Sequence, residues 1–464
     1  MSNTIRPLAV LLALTLAGPL TAQSFPTGDR VLRGIWDEGM NRSQVYPLGQ
    51  VLLDSIGPRL AGTPGLQASH DWLVRLYRGW GIEAENEPYG TWRGWERGAT
   101  HVDLVAPRVR TLDAILVAWS PGTDGEVTGD VVLLPGPGTD RAAWRERAAG
   151  AFVLVSPAEP TCRPLEQWQE LGGPEVADGI ATARAVSRQD FAARVATLAR
   201  NEAELARVLA DAGVAGILTS SWSEGYGVRR VFGDRLGAVP VFSLSCEDFG
   251  LLHRLAEADQ GPLLRVDAEA DMLGEVPAYN TVAVIPGTER PDEYVVLSAH
   301  LDSWDGASGA TDNGTGTLVM VEAMRLLRMF YPNPKRTIIA GHWGGEEQGL
   351  NGSRAYAADH PEVVNGLQAL FNHDDGTGKI SRVSMQGLMD AGPHFVGWLS
   401  GIPEELTSEI EVTYPGAPRS GGSDYSSFTC AGAPAFGLWS ESWDYGTYTW
   451  HTNLDTLDKV AFDN

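Results

Sequence analysis

Tyr294-Val295-Val296-Leu297-Ser298-Ala299-His300-Leu301-Asp302-Ser303 is an apolar run that passes without a break into a histidine and an aspartate. Unbroken apolar runs of this length suit a strand buried on both faces, the usual condition in a parallel sheet. The flanking sequence repeats the theme. Asn280 to Ile285 reads as a strand, and Thr315 to Phe330 as a helix whose apolar positions are Leu318, Val321, Ala323, Met324 and Leu327. Thr337 to Ala340 and Leu367 to Phe371 are further strands. Strands alternating with helices predict an α/β fold, a mainly parallel mixed sheet with helices on both faces. Ligands of such sheets gather beyond the strands' carboxyl ends.

Upstream, Val45 to Ile56 and Gln67 to Trp80 are predicted helices, the second with Trp72, Leu73, Leu76 and Trp80 on one face. The Gly- and Pro-rich stretch Gly57 to Gly65 joins them as a loop. His101 to Ala106 and Ala114 to Ala118 read as strands. Beyond them the texture changes to short apolar strands at Val131–Leu134, Ala151–Val155, Gly216–Leu218 and Val239–Leu244, with a helix at about Leu198 to Ala212. No metal-ligand spacing occurs there, and the first histidine is His253. Residues 119–270 are therefore expected to form an inserted non-catalytic module, with Asp271 to Tyr279 as its exit linker. Residues 23–118 and 271–464 then make one discontinuous domain.

The first 22 residues carry Arg6, an apolar run from Leu8 to Leu20, and a small-residue cleavage site at Leu20-Thr21-Ala22. That order is a secretory signal peptide, which implies a periplasmic or secreted protein. The run is too short to span a bilayer, and no later stretch could. The 35 Lys and Arg against 59 Asp and Glu give a formal charge of −24. Such a surface repels phosphate backbones and anionic lipid, so nucleic acid and membrane are excluded as partners. Cys162, Cys246 and Cys430 are too few for a disulfide framework. Export permits a Cys162–Cys246 bridge, with buried free thiols as the alternative.

The polar groups at the strand ends carry the chemistry. His300 and Asp302 follow the quoted strand, and Asp312 lies in the Gly-rich loop before the next helix. Glu346 and Glu347 follow the Thr337 strand; Asp374 and Asp375 follow the Leu367 strand; His451 lies past the aromatic loop Trp443 to Trp450. Zinc takes neutral imidazole and carboxylate ligands, and a catalytic site keeps one position open. Two zinc ions about 3.5–4 Å apart need one bridging carboxylate and terminal ligands on each side. His300, Asp312, Glu347, His451 and one of the two aspartates supply that set, leaving Glu346 free to move a proton.

His300-Leu301-Asp302, Thr311-Asp312-Asn313-Gly314, Gly345-Glu346-Glu347-Gln348-Gly349 and His451 together resemble the two-zinc aminopeptidase superfamily. His300 to Asp305, Gly57-Pro58-Arg59-Leu60 and Trp95-Glu96-Arg97-Gly98 are most similar to its carboxypeptidase Q (plasma glutamate carboxypeptidase) group. The insert resembles a protease-associated domain. The resemblance implies the zinc exopeptidase fold, with His300 and Asp374 terminal on one zinc, Glu347 and His451 on the other, and Asp312 as bridge. It favours Asp374 over Asp375 because the Asn372-x-Asp374 spacing and Gly376 match the family's strand end. Glu346 matches the general acid/base, and Asp302 the carboxylate that orients a ligand histidine. Asp424 and Tyr425 fall in a segment resembling the family's pocket lining. Two features depart from the pattern: His373 beside the ligand aspartate, and the chain's stop at Asn464 where relatives add a terminal helix.

The expected function is thus exported di-zinc hydrolysis of dipeptides or short peptides, with the direction, aminopeptidase or carboxypeptidase, left open and a homodimer implied. A glutaminyl-cyclase-like acyl transferase on the same fold needs fewer metal ligands. A non-catalytic binding protein would not need the complete set with Glu346.

Overall fold

The computed structural model describes residue 25, residues 27–233, residue 237 and residues 239–463. The signal segment expected over 1–22 lies outside the described residues. Among the described residues no helix is long and apolar enough to cross a membrane.

The peptidase-side strands are β1 (Glu83–Ala106), β2 (Leu263–Ile285), β3 (Arg290–His300), β4 (Arg336–Trp343), β5 (Leu367–His373), β6 (Ile380–Ser384), β7 (Glu411–Thr413) and β8 (Ala435–Ser440). They pair in the order β7-β6-β8-β5-β3-β4-β2, with β1 on β2. The four central strands β8, β5, β3 and β4 are parallel. Their carboxyl ends therefore open on one edge, where His300 and the segments after Trp343, His373 and Ser440 come together. The helix Thr315–Phe330 buries Leu318, Val321 and Met324. Val282, Val296, Ile339 and Leu370 pack in a core with Tyr356 and Phe428.

Between β1 and β2 the chain builds a second set of strands, Ala114–Leu116, Val127–Leu133, Phe152–Leu154, Gly216–Thr219 and Val241–Leu244. Their own core includes Trp144, Val153, Leu205, Leu209, Ile217 and Val241. A disulfide joins Cys162 to Cys246, while Cys430 is free and exposed.

Two elements differ from the sequence reading. Asp271 to Tyr279 is no linker: it is the middle of β2, which pairs antiparallel with β1 from Glu83↔Val284 to Ala106↔Leu263. One end of β2 pairs with β4 and the other with Val127–Asp130, so one ladder runs through both strand sets. The segment's side chains are mostly exposed on both faces, and Gly274 and Pro277 interrupt it, so neither alternation nor an apolar run marks it as a strand. The helix expected from Leu198 begins at Glu202, where the Asn201 side chain accepts from Glu204 N–H and caps it. Before it stands a 25-residue helix, Pro174–Leu198, whose apolar residues follow no single stripe.

Candidate active site

His300 ends β3 fully buried. Its Nδ1 lies 2.9 Å from the Asp302 carbonyl. A carbonyl can only accept, so Nδ1 carries the hydrogen and Nε2 faces the site. Nε2 is 3.0 Å from Asp374 Oδ1 and 3.4 Å from Asp312 Oδ1. The other oxygen of Asp312 lies 3.2 Å from His451 Nε2, which is also 2.9 Å from Glu347 Oε2. Two groups of three metal-competent side chains result, His300–Asp312–Asp374 and Asp312–Glu347–His451, each with ligand atoms within 4.8 Å of one another. Asp312 is common to both. His300 also groups with Glu346 and Glu347.

Buried carboxylates hold the backbone that carries these groups. Asp302 accepts from the N–H of Glu346 at 3.1 Å and of Glu347 at 3.2 Å. Its carboxylate stands 3.7 Å from His300 Nδ1, farther than its own carbonyl, so it orients the glutamate loop more directly than the histidine. Asp455 does the same for Thr311 and Asp312, accepting their N–H groups at 2.7 and 3.0 Å. Arg59, fully buried, donates to the carbonyls of Leu301, Ser308 and Gly309 at 2.7, 2.5 and 2.8 Å and ties down the loop between β3 and Asp312. Asp455 carries no motif signal. Arg59 belongs to a quoted family string, but nothing local in the sequence reveals what it holds.

The electrostatics follow from crowding acids around two imidazoles. Burial opposes a charge on His451, yet Glu347 and Asp312 overcome it and push the ring up to about 10. Burial and Asp312 push Glu347 up to about 7. Burial likewise opposes the Asp312 charge, but histidines on both sides hold its carboxyl below the usual range. Glu346 is held well above its ordinary value, by burial first and then by Asp374, Asp424 and Glu347.

The other sequence candidates divide. Asp375 stands outside the ligand groups, its Oδ2 accepting from Ser440 N–H at 2.9 Å. His373 is buried against the Ser440 hydroxyl at 3.0 Å and stands outside the ligand groups. A cavity of about 450 Å³ opens before the cluster, walled by Leu350, Arg354, Gly421, Gly422, Trp439, Tyr445 and Trp450. Asp424 and Tyr425 do not line it. Asp424 is fully buried behind it, and burial pushes its carboxyl up to about 7. The Tyr425 hydroxyl donates to the Gly421 carbonyl at 3.2 Å. The loop thus reaches the cavity through its glycines, because its larger side chains anchor it inward.

The loop bearing His451 is held from the segment between β1 and β2. Arg230 donates to the carbonyls of Trp450 and Gly446, both at 2.7 Å, with its guanidinium 4.4 Å from the Trp450 ring. Val231 N–H donates to the His451 carbonyl at 2.7 Å, and the Ser223 hydroxyl to Thr447 at 2.7 Å. Phe232 meets the His451 ring edge-on at 5.4 Å. His253 and Asp248, in the same segment, lie outside the ligand groups.

Zinc suits this donor set, which is imidazole and carboxylate only. Glu347 Oε1 is buried without a hydrogen-bond partner, as an atom reserved for a cation would be.

A mixed, mainly parallel sheet with imidazoles and carboxylates at its carboxyl edge is the arrangement of the zinc-dependent exopeptidases. Residues 280–464 match the model of peptidase family M28. Carboxypeptidase Q of Bos taurus is 25% identical over 431 residues, covering 91% of this chain and 82% of that protein. The Rattus norvegicus protein of the same name is 26% identical over 343 residues, covering 74% of this chain and 66% of that protein. Among solved structures, a peptidase M28 precursor from Shewanella amazonensis superposes with a TM-score of 0.65 at 22% identity, covering 93% of this chain and 92% of that one. BSAP, a zinc aminopeptidase from Bacillus subtilis, gives 0.55 at 20% identity and 90% coverage of each. These two likenesses concern the fold.

Proposed function

We propose that the protein is an exported exopeptidase that hydrolyses dipeptides and short peptides with two zinc ions. The observation that carries this reading is the pair of three-residue groups sharing Asp312. One group offers His300 and Asp374 as terminal ligands, and the other offers Glu347 and His451. Zinc, when bound, supplies a Lewis acid and makes water a better nucleophile at neutral pH.

The chain's own residues do the rest. Glu346, whose burial favours the protonated form, accepts a proton from the attacking water and returns it to the leaving amine. Asp302 fixes Glu346 and Glu347 through their N–H groups, so proton carrier and ligand keep one geometry. The cavity of about 450 Å³ has room for a short peptide. Residues 119–270 act as a non-catalytic module, which holds the His451 loop in place through Arg230 and Val231.

The test is a panel of dipeptides and blocked longer peptides assayed before chelation, after it, and after zinc is restored. Dipeptide hydrolysis that vanishes on chelation and returns with zinc is expected. Undiminished hydrolysis by fully metal-free protein would refute the proposal.

A further inference from the structure

A second cavity, of about 920 Å³, lies along the segment between β1 and β2 and shares no residue with the one before the ligand groups. Part of its wall is the end of the helix Pro174–Leu198. That helix has no single apolar stripe overall, yet Phe191, Ala192, Val195 and Ala196 fall on one face at helical spacing, and all four line the cavity. The small sheet and its strand ends contribute Ile115, Val117, Val155 and Val241. Val117, Val155, Phe191 and Val195 stay only partly buried at the margin of the Trp144–Leu209 core. Two alanines, where a packed helix would present larger side chains, leave the space open. Protein interiors hold few voids larger than a water molecule, whereas a mainly apolar concavity of several hundred Å³ is the usual form of a small-molecule site.

The polar groups at the cavity's edge decide the charge of its ligand. Arg97 pairs with Asp305 at 3.1 Å and Arg200 with Glu204 at 3.2 Å, while Arg230 donates to the carbonyls of Trp450 and Gly446. The Asn201 side chain is taken by Glu204 N–H at 2.9 Å. None of these cations is left for an anion, and a chain of net charge −24 repels one. A neutral apolar molecule needs no such partner. The cavity also shares a wall with the His451 loop. Arg230, Val231 and Phe232 line it, and the same three residues hold that loop. Phe232 stands 5.4 Å from the His451 ring and 5.5 Å from that of Trp304. We propose that this cavity binds a neutral, mainly apolar small molecule, whose presence steadies the Arg230–Phe232 wall and with it His451. The ligand and zinc at the His451–Glu347 position then favour each other, each by the same factor. The coupling, though not the binding, rests on the peptidase reading above.

The test uses N-phenyl-1-naphthylamine, a neutral apolar probe that brightens on leaving water, with the metal-free full chain. Saturable binding is expected. Decan-1-ol should displace the probe at a concentration at least about 10-fold below that needed of decanoate, whose carboxylate would be desolvated without a partner. Ala192→Trp and Ala196→Trp each put an indole into the cavity and should weaken the probe by at least about 10-fold. Ala193→Trp, on the same helix but outside the lining, should not. In a chelator-buffered zinc titration, decan-1-ol should raise the affinity of one position roughly 5-fold, the low end of typical couplings. Phe232→Ala should abolish that rise while the probe still binds. No saturable binding, equal displacement by decanoate, or binding that survives both cavity-filling tryptophans would overturn the site. Loss of binding as the chain dimerises would assign the cavity to a second copy and overturn it too. Probe binding with no effect on zinc would overturn the coupling alone. A chain that binds the probe but no zinc would overturn the coupling together with the peptidase reading, and leave the site standing.

Discussion

Replacing Arg230 by Met should weaken zinc at one position and spare the other. Arg230 lies in the segment between β1 and β2, far from His451 in sequence, yet its guanidinium donates to two carbonyls of the loop that carries His451, both at 2.7 Å, and stacks on Trp450. Hydrogen bonds from a charged donor are worth about 1.5–3 kcal/mol each when buried, and Arg230 is half-buried, so the low end applies. With a cation–π contribution of about 0.5–1 kcal/mol, the clamp totals about 3.5–4 kcal/mol. Released in full, that would shift the loop's closed fraction on the order of 300- to 900-fold. Val231 N–H and the Ser223 hydroxyl still hold the same loop, so only part is lost. Affinity scales with the fraction of loop in the competent state, and a 10- to 100-fold loss is expected at the His451–Glu347 position. The His300–Asp374 position, which Arg230 does not touch, should keep its affinity. Zinc titration of metal-free protein against a chelator of known strength resolves the two steps. Unchanged affinity at both positions would refute the reasoning, and an equal loss at both would point to general destabilisation.

The adjacent glutamates should separate proton transfer from metal binding. Glu346→Gln is expected to keep zinc while turnover falls by about 10²–10⁴-fold, whereas Glu347→Gln should lose zinc at one position along with activity; stoichiometry and turnover measured together check this. Zinc affinity should also rise with pH. His451, held up to about 10, and Glu347, held up to about 7, share protons in the metal-free site, and zinc must displace them. Protons bound below those values compete with the metal, so affinity is lost as pH falls and recovered as it rises. Calorimetry at pH 7 in buffers of different ionisation enthalpy should show at least one proton released on filling both positions.

Much of this site is legible in the sequence because its chemistry sits at the ends of buried strands. His300 ends β3 and Asp374 follows β5 directly, where an apolar run stops and polar residues begin. The helix Thr315–Phe330 is equally plain, since its buried positions recur at helical spacing. The β1–β2 ribbon is not legible: exposed on both faces over Asp271–Tyr279, it carries neither signal of a strand. Nor is the support around the site. Asp455 and Arg59 act on backbone groups far away in sequence, and Arg230 reaches the His451 loop across 216 and 220 residues. No local pattern encodes such contacts. The segment at Asp424 and Tyr425 is recognisable as lying near the cavity, but the direction its side chains take is set by packing that only the fold reveals. Cys162 and Cys246 meet across 84 residues for the same reason.

The central claim is that Asp312 serves two metal ions at once. Its most direct test is the zinc content of the purified, active chain by elemental analysis, beside that of Asp312→Asn. The account predicts close to two zinc ions per chain in the wild type, and a fall at both positions when the shared carboxylate is lost. One zinc per chain at full activity, or an Asp312→Asn protein that still holds two, would contradict it.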